Sequence, residues 1–188
     1  MGSTARTIKE AARYTYSDYY GWETNDRYEL IDGVPHLMSP SPTQVHQEIL
    51  LEIGGQFREF LKGKPCKVFI APFDVRLNVR HKDDTVVQPD LFVVCDMSKL
   101  DGKACNGAPD MVMEILSPTS ARMDRAIKLV KYQNAGVLEY WIVDPESKTV
   151  SVYLLENGKY NISVYYDADT VPVYVLDGCR IKMQDVFI

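Results

Sequence analysis

Val86–Val94, VVQPDLFVV, and Asp110–Ser117, DMVMEILS, decide how this chain folds. Both runs are almost continuously apolar, the pattern of central strands covered on both faces. Each nonetheless holds a carboxylate inside it, Asp90 in the first and Glu114 in the second. Moving an ionised carboxylate out of water is costly unless a cation, a metal or good hydrogen bonds replace its solvation. Strand alternation puts Asp110, Val112, Glu114 and Leu116 on one face and Met111, Met113 and Ile115 on the other, while Asp90 shares a face with Phe92 and Val94. If the two strands are neighbours, both carboxylates point to one face and can share an oxygen-ligated Mg²⁺, with Mn²⁺ as a substitute. The alternative is structural, with Asp90 opening a strand after Pro89 and Glu114 paired in the core with an arginine.

Outward from this pair, SPTS (117–120) supplies helix-start chemistry, and Met123, Ile127 and Val130 recur at helical spacing. A helix over about 121–135 follows, with Asp124 suited to its positive N-terminus and Gly136 as the stop. This helix must run back along the sheet. Three extended residues after Glu114 cover about 10 Å, and eight helical residues from Ser120 to Lys128 cover about 12 Å. Lys128 therefore returns to the level of Glu114, with Asp124 and Tyr132 beside it on the same helix face, while Lys131 overshoots. A lysine there can neutralise the carboxylates and orient a nucleophilic water or a phosphate. A solvated helix lysine is the alternative.

The remaining segments complete a single α/β or α+β domain around a mixed sheet. Val45, Ile49, Ile53, Phe57 and Phe60 predict an amphipathic helix from Gln44 to about Phe60, and VFIAPFDVRLNV (68–79) a first strand after it. LEYWIVD (138–144) reads as a strand joined to DMVMEILS by a right-handed parallel crossover. TVSVYLL, KYNISVYY and VPVYVLD follow as antiparallel additions, with a turn at Asn157-Gly158. Residues 1–43 read as an N-terminal arm with a hairpin at Asp32-Gly33 and a short helix capped by Ser17, and residues 44–188 as the main domain. The run Tyr14, Tyr16, Tyr19, Tyr20, Trp22 suits a core-covering or dimer-forming arm better than base stacking.

Composition narrows the function classes. The 188 residues are 46% hydrophobic and 25% charged, as in soluble globular proteins. A net charge of −5 excludes a broadly basic surface, so a nucleic-acid partner needs a local Lys/Arg cluster, for which Arg76, Arg80, His81-Lys82, Arg122 and Arg125 are sparse candidates. Cys66, Cys95, Cys105 and Cys179 form no CxxC pair, and His36, His46 and His81 complete no zinc spacing. Reduced thiols and surface histidines are the expectation. No apolar run spans a bilayer, and the polar start MGSTARTIKE lacks a signal peptide's apolar core, which points to the cytoplasm.

Two acidic residues on adjacent strands with a lysine resemble the PD-(D/E)XK nuclease superfamily, in Pro89-Asp90 and Glu114. The usual lysine position, two after the acidic residue, is Leu116 here. RYELIDG, PSPTQVHQEI, APFDVRL, VVQPDLFVV, GAPDMVMEILSPTS and DRAIKLVKYQNAGVLEYWIVDP together are similar to a family of uncharacterised bacterial restriction-endonuclease-like proteins, over about Arg27 to Tyr160. The resemblance implies a restriction-endonuclease-like fold of order helix, three strands, helix, strand, with the lysine moved to the second helix, where Lys128 stands. It implies Asp90 and Glu114 as metal ligands, helped by the carbonyl of Ile115, with Glu48 and Asp74 as accessory residues beside Gln88, which strand alternation supplies. Gln88 shares the face of Asp90 and is placed to orient it. The implied activity is Mg²⁺-dependent hydrolysis of nucleic acid, DNA before RNA, by a homodimer matching a palindromic site. A non-catalytic binding or assembly module on the same fold, or a structural dimer domain with a buried ion-pair network, is the competing expectation.

Overall fold

A computed structural model describes residues 12–38 and 41–187. The polar first eleven residues, and Ser39-Pro40 of the expected break before the first long helix, lie outside the described residues. The core is a six-stranded mixed sheet of order β11-β10-β9-β8-β6-β3, formed by β3 (Lys67–Ile70), β6 (Leu91–Val94), β8 (Met111–Ile115), β9 (Glu139–Asp144), β10 (Thr149–Glu156) and β11 (Lys159–Tyr166). Within this sheet, among the described residues, β8 and β9 are the one parallel pair, as a crossover through one helix demands. Helix α2 (Gln44–Leu61) is N-capped by the Thr43 hydroxyl and precedes β3. The order helix, three strands, helix, strand is thus realised, with β10 and β11 added antiparallel.

The two faces of this sheet feed two cores, as alternation dictates. Leu91, Val93, Met111, Met113, Ile115, Trp141 and Val143 pack toward α2 and the C-terminal segment. Phe92, Val94, Val112, Leu116, Tyr140 and Ile142 pack toward Tyr132 of α3 (Leu129–Ala135) and a second sheet. That sheet, of order β2-β1-β5-β4-β7, joins β1 (Tyr28–Ile31) and β2 (Val34–Leu37) to β4 (Asp74–Arg76), β5 (Val86–Val87) and β7 (Ala104–Asn106). The hairpin turn uses Asp32 at φ 50° and Gly33 at φ 78°, and Asn157 (51°) and Gly158 (78°) repeat it between β10 and β11. Both are the left-handed pairs that a tight two-residue turn needs. Thr170–Pro172 (β12) and Arg180–Lys182 (β13) form a separate small hairpin where one final strand was expected.

Four expectations need correction. VFIAPFDVRLNV and VVQPDLFVV are not single strands, because Pro72 and Pro89 cannot donate to a ladder and the chain changes sheet at each. β3 and β6 stay in the large sheet, whereas β4, β5 and the unexpected β7 build the second. The short first helix α1 (Tyr16–Tyr20) begins after Thr15, not Ser17, and Asp18 Oδ2 accepts from the Thr15 N–H at 3.0 Å. Cys66 and Cys95 are joined by a disulfide, since the Lys67–Val94 register sets them directly opposite each other, with Cα atoms 4.0 Å apart. Cys105 and Cys179 are free and buried. Among the described residues, no helix is long and apolar enough to cross a membrane.

Candidate active site

Asp90 and Glu114 stand side by side at the end of the β6–β8 ladder. Leu91 pairs with Met113, so one further antiparallel step sets Asp90 against Glu114 on the face they share with Phe92 and Val112. Pro89 brings the chain in from the second sheet, and this leaves Asp90 partly open, its side chain 19% exposed. Asp90 Oδ2 accepts from the Ile115 N–H at 2.7 Å, and its own N–H lies 3.4 Å from Glu114 Oε2. The two carboxylates are therefore locked to each other's strands.

The returning helix supplies the rest. It contains a π-helical segment, Met123–Lys128, that runs directly into α3 (Leu129–Ala135). A wide turn of this kind is often found at functional sites. Asp124, Lys128 and Tyr132 are its buried residues, four apart on one face, while Ile127 and Val130 are exposed. The apolar spacing thus gave the helix, and the face that meets the sheet is the one that chain length assigned to Asp124, Lys128 and Tyr132. What that face meets is the carboxylate pair, for which polar residues are the better match.

Lys128 sits at the centre of the cluster. Its Nζ lies 2.8 Å from Glu29 Oε1, 3.0 Å from Glu114 Oε1 and 3.5 Å from Asp124 Oδ1, and all four side chains are at most 7% exposed. The Tyr132 hydroxyl donates to the same Glu114 Oε1 at 2.7 Å. Burial drives the Glu114 carboxyl well above the usual carboxylate range; Lys128 opposes this, and Asp124, Asp90 and Glu29 reinforce it. Asp124 is raised by burial too, again against Lys128. For Lys128 burial works against the charge, but Glu114, Glu29 and Asp124 outweigh it and hold the ammonium well above its ordinary value. Four carboxylates, counting Asp90, face one ammonium. When these carboxyls ionise, their excess of negative charge is what a divalent cation would neutralise.

His46 was expected at the surface and is not. It falls on the buried stripe of α2 with Ile49, Leu50 and Ile53, and its Nε2 lies 3.1 Å from Asp90 Oδ2. Its Nδ1 is buried with no hydrogen-bond partner among the described residues. Burial lowers the His46 pKa, and the hydrogen bond and charge of Asp90 more than offset this, for a net rise. The i, i+3, i+4 spacing of His46, Ile49 and Leu50 was the signal available in the sequence.

The accessory residues fare differently. Glu48 is on the exposed side of α2, where it accepts from Gln44 Nε2 at 2.7 Å and flanks a shallow groove with Leu51 and Ile70. Gln88 does not orient Asp90. Its Nε2 donates to Asp74 Oδ1 at 2.8 Å and to the Tyr19 hydroxyl at 3.1 Å, and its Oε1 accepts from Arg27 Nη2 at 2.6 Å. The break at Pro89 turns its side chain into the second sheet. Asp74 belongs to that neighbouring network, with its carboxyl raised by burial. Arg76 is held by Asp83 and Asn106, and Arg125 by Asp144. Tyr14, Tyr19 and Tyr28 pack around Trp22 with ring centroids 5.1–5.7 Å apart, so the aromatic arm covers β1. Glu29, the shortest contact of Lys128, was missed altogether.

The donor set suits a hard cation. Asp90 and Glu114 present carboxylate oxygens, and Mg²⁺ commonly binds through one or two carboxylates while keeping several waters. Among the described residues no three His, Cys, Asp or Glu side chains are arranged to hold a metal by themselves. Water and a backbone carbonyl would have to fill the remaining positions.

Comparison with known proteins gives the family and the fold. The Uma2 family, described as "Putative restriction endonuclease", matches residues 16–184. "Uncharacterized protein slr1290" of Synechocystis sp. is 26% identical over 139 residues, covering 72% of this chain and 71% of that protein. The crystal structure of a "putative nuclease belonging to DUF820" from Anabaena variabilis superposes with a TM-score of 0.74 at 22% identity, over 93% of this chain and 97% of the other. At that identity the likeness establishes the fold. The family match spans nearly the whole chain and includes every residue of the Asp90–Glu114–Lys128 cluster, so the protein belongs to the Uma2 family and carries a restriction-endonuclease-like fold.

Proposed function

We propose that this protein is a Mg²⁺-dependent endonuclease that hydrolyses phosphodiester bonds in DNA, with Asp90, Glu114 and Lys128 as its catalytic residues. The observation that carries this reading is the placement of two strand carboxylates on one face, with a buried lysine 3.0 Å from one of them. Asp90 and Glu114 would hold the ion, with the Ile115 carbonyl as a further ligand. When bound, the ion supplies charge neutralisation and acidifies water for attack on phosphorus.

The chain's own groups do the positioning. Asp90 is fixed by the Ile115 N–H and His46, so its carboxylate is aimed before substrate arrives. Glu114 is fixed through Oε1 by Lys128 and Tyr132, which leaves Oε2 turned toward Asp90. Lys128 offsets negative charge as it builds on the phosphoryl oxygens. Its most distant contact, Asp124 at 3.5 Å, is the one a phosphate would most readily replace. A homodimer, matching a palindromic target, and a cytoplasmic location complete the proposal.

A second reading is a nuclease-fold module without chemistry, in which the cluster is a structural ion-pair network. Saturation of Lys128 by three carboxylates favours it. Calorimetric titration with Mn²⁺ separates the two readings. The nuclease reading expects binding by the wild type and its loss in Glu114→Gln, whereas absence of binding in the wild type favours the module.

A further inference from the structure

The residue closest to Lys128 comes from neither strand of the carboxylate pair. Glu29 lies on β1, in the second sheet, and only 7% of its side chain is exposed. Its Oε1 accepts twice, from Lys128 Nζ at 2.8 Å and from the Gln88 N–H at 2.9 Å. Gln88 is two residues before Asp90, on the far side of Pro89. One carboxylate oxygen thus fixes both the catalytic ammonium and the backbone that delivers the first metal-site carboxylate.

The contact is repeated one turn along the helix. Lys131 Nζ reaches Asp32 Oδ1 and Oδ2 at 2.7 and 2.6 Å, so Glu29 and Asp32 of the hairpin match Lys128 and Lys131 of the helix with a three-residue offset on both. The Asp32–Lys131 pair is open to water on its Asp32 side, 59% exposed against 24% for Lys131, and such a surface pair contributes little by itself. The Glu29–Lys128 pair is buried, and Nζ is shared between Glu29 at 2.8 Å and Glu114 at 3.0 Å.

We propose that Glu29 is a positioning residue of the active site, and that through it the β1–β2 hairpin is a working part of the catalytic centre. The proposal rests on the nuclease reading, since it presumes that Lys128 acts on a substrate phosphate. Without Glu29 the ammonium keeps Glu114 and Asp124 as its ion-pair partners among the described residues. It is then free to shift toward those two carboxylates, and the segment before Asp90 loses its tether.

The test is a comparison of Glu29→Ala and Glu29→Gln with the wild type, using plasmid cleavage, Mn²⁺ titration and ¹H–¹⁵N spectra of the lysine ammonium groups. A slowly exchanging Nζ resonance, assigned by its absence in Lys128→Ala, reports the caged ammonium without reference to activity. Glu29→Ala should lower kcat by about 100-fold, the cost of misplacing a catalytic group by an ångström or so. KM for DNA and Mn²⁺ affinity should stay within a few-fold, and the Lys128 resonance should broaden or vanish. Glu29→Gln keeps an acceptor oxygen, so it should recover part of both kcat and the resonance. Wild-type kcat and an unchanged Lys128 resonance in Glu29→Ala would overturn the proposal. A wild type that cleaves nothing would instead overturn the nuclease reading and the catalytic role of Glu29 with it. The resonance would then decide only whether Glu29 fixes the ammonium.

Discussion

Removing Lys128 should cost the fold more than it would at almost any other lysine. The Lys128→Ala change leaves Glu29, Glu114 and Asp124 together without their shared cation, in a region where none of these side chains is more than 7% exposed. Breaking a buried ion pair by deleting one partner costs about 3–5 kcal/mol, and here three carboxylates lose one cation. For a chain of this length about 1 kcal/mol moves Tm by roughly 2–4 °C, so a fall of roughly 6–20 °C is expected near pH 8. The sign of the pH dependence follows from the carboxylates. Glu114 and Asp124 already have raised pKa values in the fold, and loss of Lys128, which opposes that rise, lifts them further. A raised folded pKa gives stability that is present at low pH and lost as pH rises through it. The deficit of Lys128→Ala should therefore shrink steadily as pH falls toward the ordinary carboxylate values of 4.5 and 3.8. Mn²⁺ should raise the stability of Lys128→Ala itself at pH 8, by about 2.7 kcal/mol at a hundred times its dissociation constant. Differential scanning calorimetry across pH, with and without Mn²⁺, measures all of this. A Tm within about 2 °C of wild type at pH 8 would show that Lys128 does not neutralise this cluster, and the reasoning about its placement would fail.

Other consequences are sharper at the level of single groups. Glu114→Gln removes a carboxyl whose folded pKa is raised by burial, so the variant should be as stable as wild type or more so above pH 7 and should abolish Mn²⁺ binding. A loss of several kcal/mol in urea titration would mark Glu114 as a structural partner instead. His46→Ala frees Asp90 Oδ2 from its side-chain partner and should weaken Mn²⁺ by about 10–100-fold in calorimetry, with the Glu114–Lys128 pair intact. Lys131→Ala breaks only the open pair with Asp32, so cleavage should stay near wild type and stability within about 0.5 kcal/mol.

The strands around Asp90 and Glu114 were legible because a carboxylate inside an apolar run is costly enough to demand a reason. Chain-length arithmetic placed Lys128 correctly, since helix rise and strand rise leave little freedom over fourteen residues. Glu29 was hidden because RYELI alternates as an ordinary half-buried strand, and nothing local says that its inward carboxylate meets a helix a hundred residues later. His46 was misjudged by residue type, though its spacing with Ile49 and Leu50 marked the buried face. The strands were overextended through Pro72 and Pro89, and that error concealed the second sheet. Gln88 was misplaced for the same reason, as its side chain answers to the second sheet and not to Asp90. The Cys66–Cys95 disulfide becomes visible only once β3 and β6 are registered.

The central claim is that Asp90, Glu114 and Lys128 form a metal-dependent phosphodiesterase centre, and supercoiled plasmid tests it most directly. The protein should convert supercoiled DNA to open-circle or linear form with Mg²⁺ or Mn²⁺ and stop on addition of EDTA. Asp90→Ala, purified in the same way, should be inactive while remaining folded. Cleavage that survives in Asp90→Ala, or no Mg²⁺- or Mn²⁺-dependent cleavage by the wild type, would contradict the account.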